Sequence, residues 1–363
     1  MPSYLTAIGT ATPENRFEQA QIADFMVRSL RLDATDARRL HALYRSTKIK
    51  NRYSVLGDYG KTAEYEFYPN TPDLEPFPTV SQRMVAYRKY ALPLALNAVK
   101  NMNRPADLPT ITHLITVSCT GMYAPGLDIE LVEALAISYN VQRTAINFMG
   151  CYGAFNGLKM ADAVVRANPE SMVLLVCLEL CTLHFQKKND LNHLLSNALF
   201  ADGAAAVLVE SQPRGVSFEL QSFYCDLLPE GRADMAWHVA DFGFEMILTS
   251  YVPKLVQGGI EQLVARLQAQ SGVEAIDFYA IHPGGRAILE AIERELKIAP
   301  QQNAHAYNVL RDFGNMSSAT ILFVLQQLRQ ALTTHDHGKH VLSCAFGPGL
   351  TLETAMLRVV AST

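Results

Sequence analysis

No apolar run in this chain approaches the roughly 18 residues that a membrane span needs. The most apolar stretch, 172–176, soon meets Glu179. There is no C-x-x-C pair. The six cysteines, Cys119, Cys151, Cys177, Cys181, Cys225 and Cys344, are scattered, mostly in apolar segments. That spacing argues against a zinc knuckle or a dithiol redox motif. Charged residues are also scarce, at 18%, against about 25% in ordinary globular chains. A low charged share suits a protein that buries much surface, within its fold or between subunits. With a net charge of −4 and a pI near 6.2, a nucleic-acid partner or a basic membrane patch is not expected. The first residues, Met1-Pro2-Ser3-Tyr4-Leu5-Thr6-Ala7, have neither the basic nor the apolar region of a secretory leader. A cytoplasmic protein with reduced thiols is the expectation. Low-complexity tracts and flexible linkers are absent. The tract His335-Asp336-His337-Gly338-Lys339-His340 lies between a helix and a strand, where polar residues are ordinary. No second ligand group matches it, so no metal site is expected. Gly57-Asp58-Tyr59-Gly60-Lys61 lacks the strand–loop–helix setting of a phosphate loop.

What the chain has is length and hydrophobicity: 363 residues, 49% hydrophobic, enough for a large core. The hydrophobic pattern predicts strands over 112–118, 172–180, 204–210, 216–224, 277–281, 340–346 and 352–359. It predicts helices over 17–30, 81–102, 127–139, 152–166, 252–268, 287–295 and 317–332, with Pro93 inside the second. Residues 57–79 read as a long loop. This alternation is that of an α/β fold. The order of elements nearly repeats. In each half a strand leads to a Gly-preceded helix, at 151 and again at 315, and two strands follow. The halves divide as 1–213 and 214–363, and the two helix starts are expected to meet at the centre.

Three residues stand out. Cys151 sits in Asn147-Phe148-Met149-Gly150-Cys151-Tyr152-Gly153. Small residues allow a sharp turn there, and the helix that follows aims its N-terminus at the thiol. Such a placement is expected to lower the thiol pKa. His282 ends the apolar strand Phe278-Tyr279-Ala280-Ile281-His282-Pro283-Gly284-Gly285, where α/β sheets build their sites. It is a natural acid, base or cationic partner for a cysteine nucleophile. Asn315, in Gly314-Asn315-Met316-Ser317-Ser318-Ala319, is either a helix cap or an amide donor for an oxyanion. Ala345-Phe346-Gly347-Pro348-Gly349-Leu350 follows a strand; it is a plain turn or a source of backbone N–H groups for that oxyanion.

These segments together resemble the chalcone synthase, or type III polyketide synthase, family from end to end. Gly9-Thr10-Ala11-Thr12-Pro13-Glu14-Asn15 and Ala198-Leu199-Phe200-Ala201-Asp202-Gly203-Ala204 resemble two further family signatures. The resemblance implies the thiolase fold, αβαβα layers of two duplicated halves, working as a homodimer. It implies a Cys151–His282–Asn315 triad, a gating Phe200 and a cyclisation loop of Phe346, Gly347, Pro348 and Gly349. It implies acyl-CoA and malonyl-CoA as substrates, with no metal or other cofactor. Met246 stands where chalcone synthase has a second gating phenylalanine. Cys181 and His184 stand for pocket threonines, Thr120 and Ser317 fall on the same pocket, and Ala124 replaces a methionine that enters the partner subunit. Arg38 and Arg45 match two CoA-binding positions, and His41 replaces a third. These changes favour a flexible aliphatic starter and a pyrone or resorcinol product. Two rivals share the triad or the fold: a single-round ketoacyl synthase or another thiolase-fold condensing enzyme, and a non-catalytic partner subunit. The Gly347-Pro348-Gly349 loop argues against the first, and retention of Cys151 against the second.

Overall fold

A computed structural model describes residues 1–361. The chain opens with β1 (Tyr4–Ala11), β2 (Asn15–Glu18), α1 (Gln19–Ser29), α2 (Ala34–Ser46) and β3 (Asn51–Ser54). An irregular stretch, broken by one short turn of helix, leads to α3 (Val80–Lys100). Then come β4 (His113–Ser118), α4 (Leu127–Ala134), β5 (Gln142–Asn147), α5 (Gly153–Ala167), β6 (Val173–Leu180), α6 (Leu191–Leu199) and β7 (Asp202–Glu210). The remainder carries β8 (Val216–Leu227), β9 (Met235–Ala240), β10 (Gly243–Leu248), α7 (Val252–Ser271), β11 (Phe278–Ile281), α8 (Arg286–Leu296), α9 (Ala304–Phe313), α10 (Thr320–Ala331), β12 (His340–Gly347) and β13 (Thr351–Ala361).

Nine strands form one continuous sheet in the order β11-β12-β13-β8-β1-β7-β6-β4-β5. The repeat seen in the sequence is visible in its directions. β4 runs parallel to β6, β6 antiparallel to β7, and β7 antiparallel to β1. In the same order, β11 runs parallel to β12, β12 antiparallel to β13, and β13 antiparallel to β8. The two series join where Tyr4 and Leu5 pair with Glu219 and Phe218. β5 extends the first series at the sheet edge, beside β4.

Three apolar clusters lie between the layers. On β6, Leu174, Val176 and Leu178 face the cluster under α1 and α3, while Val173, Leu175 and Cys177 face α5 and α10. On β12, Val341 and Ala345 face α5 and α10, while Leu342, Cys344 and Phe346 face α7 and α8. Strands buried on both faces read as unbroken apolar runs rather than alternating ones. Helices thus cover both outer faces and fill the space between the two halves, the layered thiolase arrangement.

The local readings needed trimming. The helix expected from residue 17 starts at Gln19, because Asn15–Glu18 pair with β3. The helix expected over 127–139 stops at Ala134, and that expected from 317 begins as a tight turn, Ser317–Ala319, before α10. The sequence reading missed β1, β2, β3, β5, α2, α6, α9 and the β9–β10 hairpin. β5 is an edge strand with much of its surface open to solvent, and so carries little apolar signal.

Candidate active site

The nucleophile turn is tightly constrained. Phe148 and Gly150 both have left-handed backbone, at φ +59° and +79°. A Cβ on Gly150 would lie 2.1 Å from Pro348 Cδ, so only glycine lets this turn and the Gly347-Pro348-Gly349 loop approach so closely. Gly150 N donates to Cys119 Sγ at 2.9 Å. Cys151 follows in a single tight turn, Gly150–Tyr152, that runs into α5.

Asn315 lies against Cys151, its Nδ2 at 3.9 Å from Sγ. Its Oδ1 accepts from Ser317 N at 2.8 Å. That bond orients the amide so that Nδ2 donates to the Gly284 carbonyl, 3.3 Å away, and Sγ lies alongside it, 3.9 Å from Nδ2 and 4.0 Å from Oδ1. Gly284 is two residues after His282, whose own N donates to Cys344 O on β12. Both ring nitrogens of His282 are buried and without a partner among the described residues. Cys151, His282 and Asn315 are 6%, 1% and 2% exposed. The tight turns at the two helix starts, 150–152 and 317–319, touch each other, as the repeat in the sequence implied.

Burial governs the electrostatics here. It pushes the Cys151 thiol up to about 12, outweighing the downward pull of hydrogen bonding to Ser317 and Asn315. It pushes His282 down to about 3. The lowered thiol pKa expected from the helix N-terminus is therefore reversed. Exclusion of water costs a lone thiolate its hydration, and the buried Glu179 carboxyl adds to the rise. Both shifts favour a neutral thiol beside a neutral imidazole.

Glu179 is a functional candidate that sequence reasoning passed over, although it was visible as the one acid in an apolar strand. It is fully buried. It accepts from Cys119 N, Thr120 Oγ1 and Ser318 Oγ at 2.9, 2.8 and 2.5 Å. The carboxylate so ties the end of β4 to the turn after Asn315. Burial raises its pKa to about 7.

A narrow cavity lies behind Phe200, whose backbone is bridged to that of Asn315; Cys151, His282 and Asn315 are not in its lining. Phe200 and Met246 line it, with Cys181 and His184, and apolar Ile22, Met26 and Phe185. Thr120 and Ser317 are outside the lining; Thr120 is held by Glu179, and Ser317 by Asn315. Ala124 is exposed and outside the lining, so within one chain it opens no channel from this cavity. The wall is more rigid than the sequence suggested. His184 stacks on Phe244 with centroids 4.2 Å apart, and Trp237 meets both rings edge-on. His184 Nε2 bonds Thr120 O at 2.7 Å, its Nδ1 accepts from Phe244 N at 2.9 Å, and Trp237 Nε1 donates to Cys119 O at 2.7 Å. Phe346 is buried under the loop formed by Gly347, Pro348 and Gly349. A Cβ on Gly347 would sit 2.6 Å from the Tyr152 ring and 3.3 Å from Cys151 N, so this loop buttresses the nucleophile turn. Arg38 and Arg45 are exposed on α2, which packs against α6, the helix that ends at Phe200. Among the described residues no cluster of three or more His, Cys, Asp or Glu could hold a metal ion, and no helix is long and apolar enough to cross a membrane.

The sequence matches the family of chalcone and stilbene synthases, its N-terminal domain over residues 2–213 and its C-terminal domain over 219–361. Type III polyketide synthase A of Arabidopsis thaliana is 32% identical, over 99% of this chain and 93% of that protein. The alpha-pyrone synthesis polyketide synthase-like Pks18 of Mycobacterium tuberculosis is 29% identical, over 99% and 91%. Probable polyketide synthase 1 of Dictyostelium discoideum is 29% identical over 99% of this chain, which spans only 11% of that much longer protein. The crystal structure of PKS-I from the brown alga Ectocarpus siliculosus superposes with a TM-score of 0.90 at 26% identity, over 99% of this chain and 98% of that one. The chain belongs to the chalcone and stilbene synthase family, the type III polyketide synthases, and is an acyltransferase.

Proposed function

We propose that this enzyme loads an acyl group from an acyl-CoA onto Cys151 and extends it with malonyl-CoA. The observation that carries this is Cys151 Sγ lying 3.9 Å from Asn315 Nδ2, with the same amide bonded to the carbonyl of Gly284, two residues after the unpartnered ring of His282. Sγ attacks the starter thioester while its proton passes to His282. The C–S bond to CoA breaks, and CoA leaves as the thiol, taking the proton back. Malonyl-CoA follows, its thioester carbonyl held between His282 and Asn315. The bond to its carboxylate breaks, CO₂ departs, and the electron pair moves onto the thioester as an enolate that the two donors stabilise. The enolate carbon bonds to the acyl carbon, and the C–S bond to Cys151 breaks. Repetition lengthens a β-keto chain that cyclises in the pocket, and Phe200 excludes water from it. No resident cofactor or metal has a part in these steps.

In this reading the nucleophile belongs to the half 1–213, and His282 and Asn315 to the half 214–363. An aliphatic starter is supported by Ile22, Met26, Phe185 and Met246 around the cavity beside Phe200. Of the two products proposed, a pyrone or a resorcinol, the pyrone is supported by the likeness to the alpha-pyrone synthesis polyketide synthase-like Pks18. Arg38 and Arg45, beside the gate helix, are assigned to the CoA phosphates. A homodimer is supported by the open edge strand β5 and by Met122 and Tyr139, 48% and 86% exposed. Competition between lauroyl-CoA and p-coumaroyl-CoA, with malonyl-CoA and mass spectrometry of products, tests the reading. Lauroyl-CoA should win in kcat/KM. A tenfold advantage for p-coumaroyl-CoA would defeat the starter assignment, and products of a single condensation would point to a ketoacyl synthase.

A further inference from the structure

We propose that Arg52 is a positioning residue for this reaction, which holds the gate Phe200 and the oxyanion donor Asn315 in one register. The proposal rests on the reading of Cys151, His282 and Asn315 as the reaction centre. Arg52 lies on β3 and is 2% exposed, yet it forms no ion pair among the described residues. A buried cation needs compensation; here the Tyr44 ring lies 5.6 Å from the guanidinium carbon, and the hydrogen bonds go mainly to the end of one helix at the wall of the cavity that Arg52 helps to line. Nη1 donates to Asn197 O at 2.7 Å and Phe200 O at 2.8 Å. Nε donates to Gln19 Oε1 at 2.8 Å, and Gln19 Nε2 donates to Ala198 O at 2.8 Å. Arg52 and Gln19 together thus satisfy three carbonyls at the C-terminus of α6. Those groups lack helical partners and carry the negative end of the helix dipole.

The stem of Arg52 does a second thing. Gly314 has φ +74°, and a Cβ there would lie 3.0 and 3.1 Å from Arg52 Cγ and Cδ. The stem lies flat on the backbone just before Asn315. The backbones of the gate and the amide are themselves bonded. Asn315 N donates to Leu199 O at 3.0 Å, and Ala201 N to Asn315 O at 2.8 Å. One side chain therefore fixes both residues against each other without touching Cys151. Lysine cannot reproduce this, because its ammonium lacks the planar fork that bonds in two directions at once.

The consequence is a split between steps. Loading of Cys151 depends on its own turn and on His282. Decarboxylation needs the Asn315 amide in place, and protection from water needs Phe200. The test compares wild type with Arg52→Met, Arg52→Lys, Gln19→Leu and Gly314→Ala, each held well below its own melting temperature. Three quantities are read: octanoyl loading of Cys151 by intact mass, acetyl-CoA release from malonyl-CoA, and starter lost as free acid. In Arg52→Met, decarboxylation should fall about 10²-fold and free acid should rise, with loading reduced less than about threefold. Arg52→Lys should restore part of the decarboxylation. Gly314→Ala strains its own left-handed backbone as well as displacing the Arg52 stem, so it checks only that the Asn315 backbone must keep this register. Gln19→Leu, which frees Arg52 Nε and the Ala198 carbonyl and leaves Gly314 alone, should show a weaker form of the same split, and it decides the matter if Arg52→Met does not fold. Equal loss of loading and decarboxylation would overturn the role of Arg52. A wild type that does neither step would remove the reading of the site and this role with it.

Discussion

Cys151 is the residue whose chemistry is most open to test, although its side chain is buried. Its thiol is buried and held neutral, whereas Cys225 is exposed. Iodoacetamide should therefore alkylate Cys225 first, while octanoyl-CoA acylates Cys151; peptide mapping separates the two. Cys151→Ala should lose loading and all extension. In the proposed mechanism His282 and Asn315 divide the work, Asn315 acting as an oxyanion donor. Asn315→Ala removes an oxyanion donor and should slow malonyl decarboxylation by about 10²–10³-fold with loading largely kept. His282→Ala should damage both steps, and equal loss of loading in the two variants would contradict this division. Buried histidines also set an acid limit on stability. Burial pushes His184 and His282 down to about 3, while in the unfolded chain they take up a proton near 6.5. Between those values the unfolded chain binds more protons, so their contribution to stability is lost as the pH falls below 6.5. The raised carboxyls Glu179 and Asp202 act the other way, since the folded state keeps their protons longer as the pH rises. The difference between wild type and His184→Gln cancels these common terms. The variant's stability should be less sensitive to pH between 5 and 6.5 by about 1.4 kcal/mol per pH unit, one ring's worth. Parallel curves of melting free energy against pH would show that His184 is not held neutral.

At the scale of elements, the site is a meeting of turns. The nucleophile turn and the loop 347–349 leave no room for a Cβ at Gly150. Gly150→Ala should displace Sγ and cost about 10²-fold in loading, measurable by rapid-quench mass spectrometry. The β9–β10 hairpin closes the other side of the pocket. Trp237 locks its wall by bonding Cys119 O and packing edge-on against His184 and Phe244. Trp237→Ala should enlarge the cavity and extend the longest starter or product; an unchanged product profile would show that this wall does not limit chain length. This wall could not be read in the sequence. His184 and Phe244 are 60 residues apart, and Trp237 and Cys119 are 118 apart. The aliphatic reading rests on Met246 and Ala124; the structure keeps Met246 in the wall, beside rigid rings, and leaves Ala124 outside it.

At the scale of the whole molecule, the sheet ends in an open edge. β5 pairs only with β4, and unpaired edges invite another chain. Light scattering should give a particle near twice 40.1 kDa. A charged residue at Ala145, exposed on that edge, should weaken the dimer, and a monomeric wild type at micromolar concentration would remove this assembly. What the sequence by itself determined is local in origin. Glycines beside Cys151 and Asn315, a histidine ending an apolar strand, and strands apolar on both faces are patterns written within a few residues. They therefore carried the α/β layering, the repeat and the three chemical residues. What only the tertiary structure decided depends on groups far apart in the chain. Arg52 reads as one more basic residue in 38–52 until the fold buries it against Asn197 and Phe200, about 145 positions away. The protonation of Cys151 likewise reversed, because a helix N-terminus is a local feature but the exclusion of water around it is made by the whole fold.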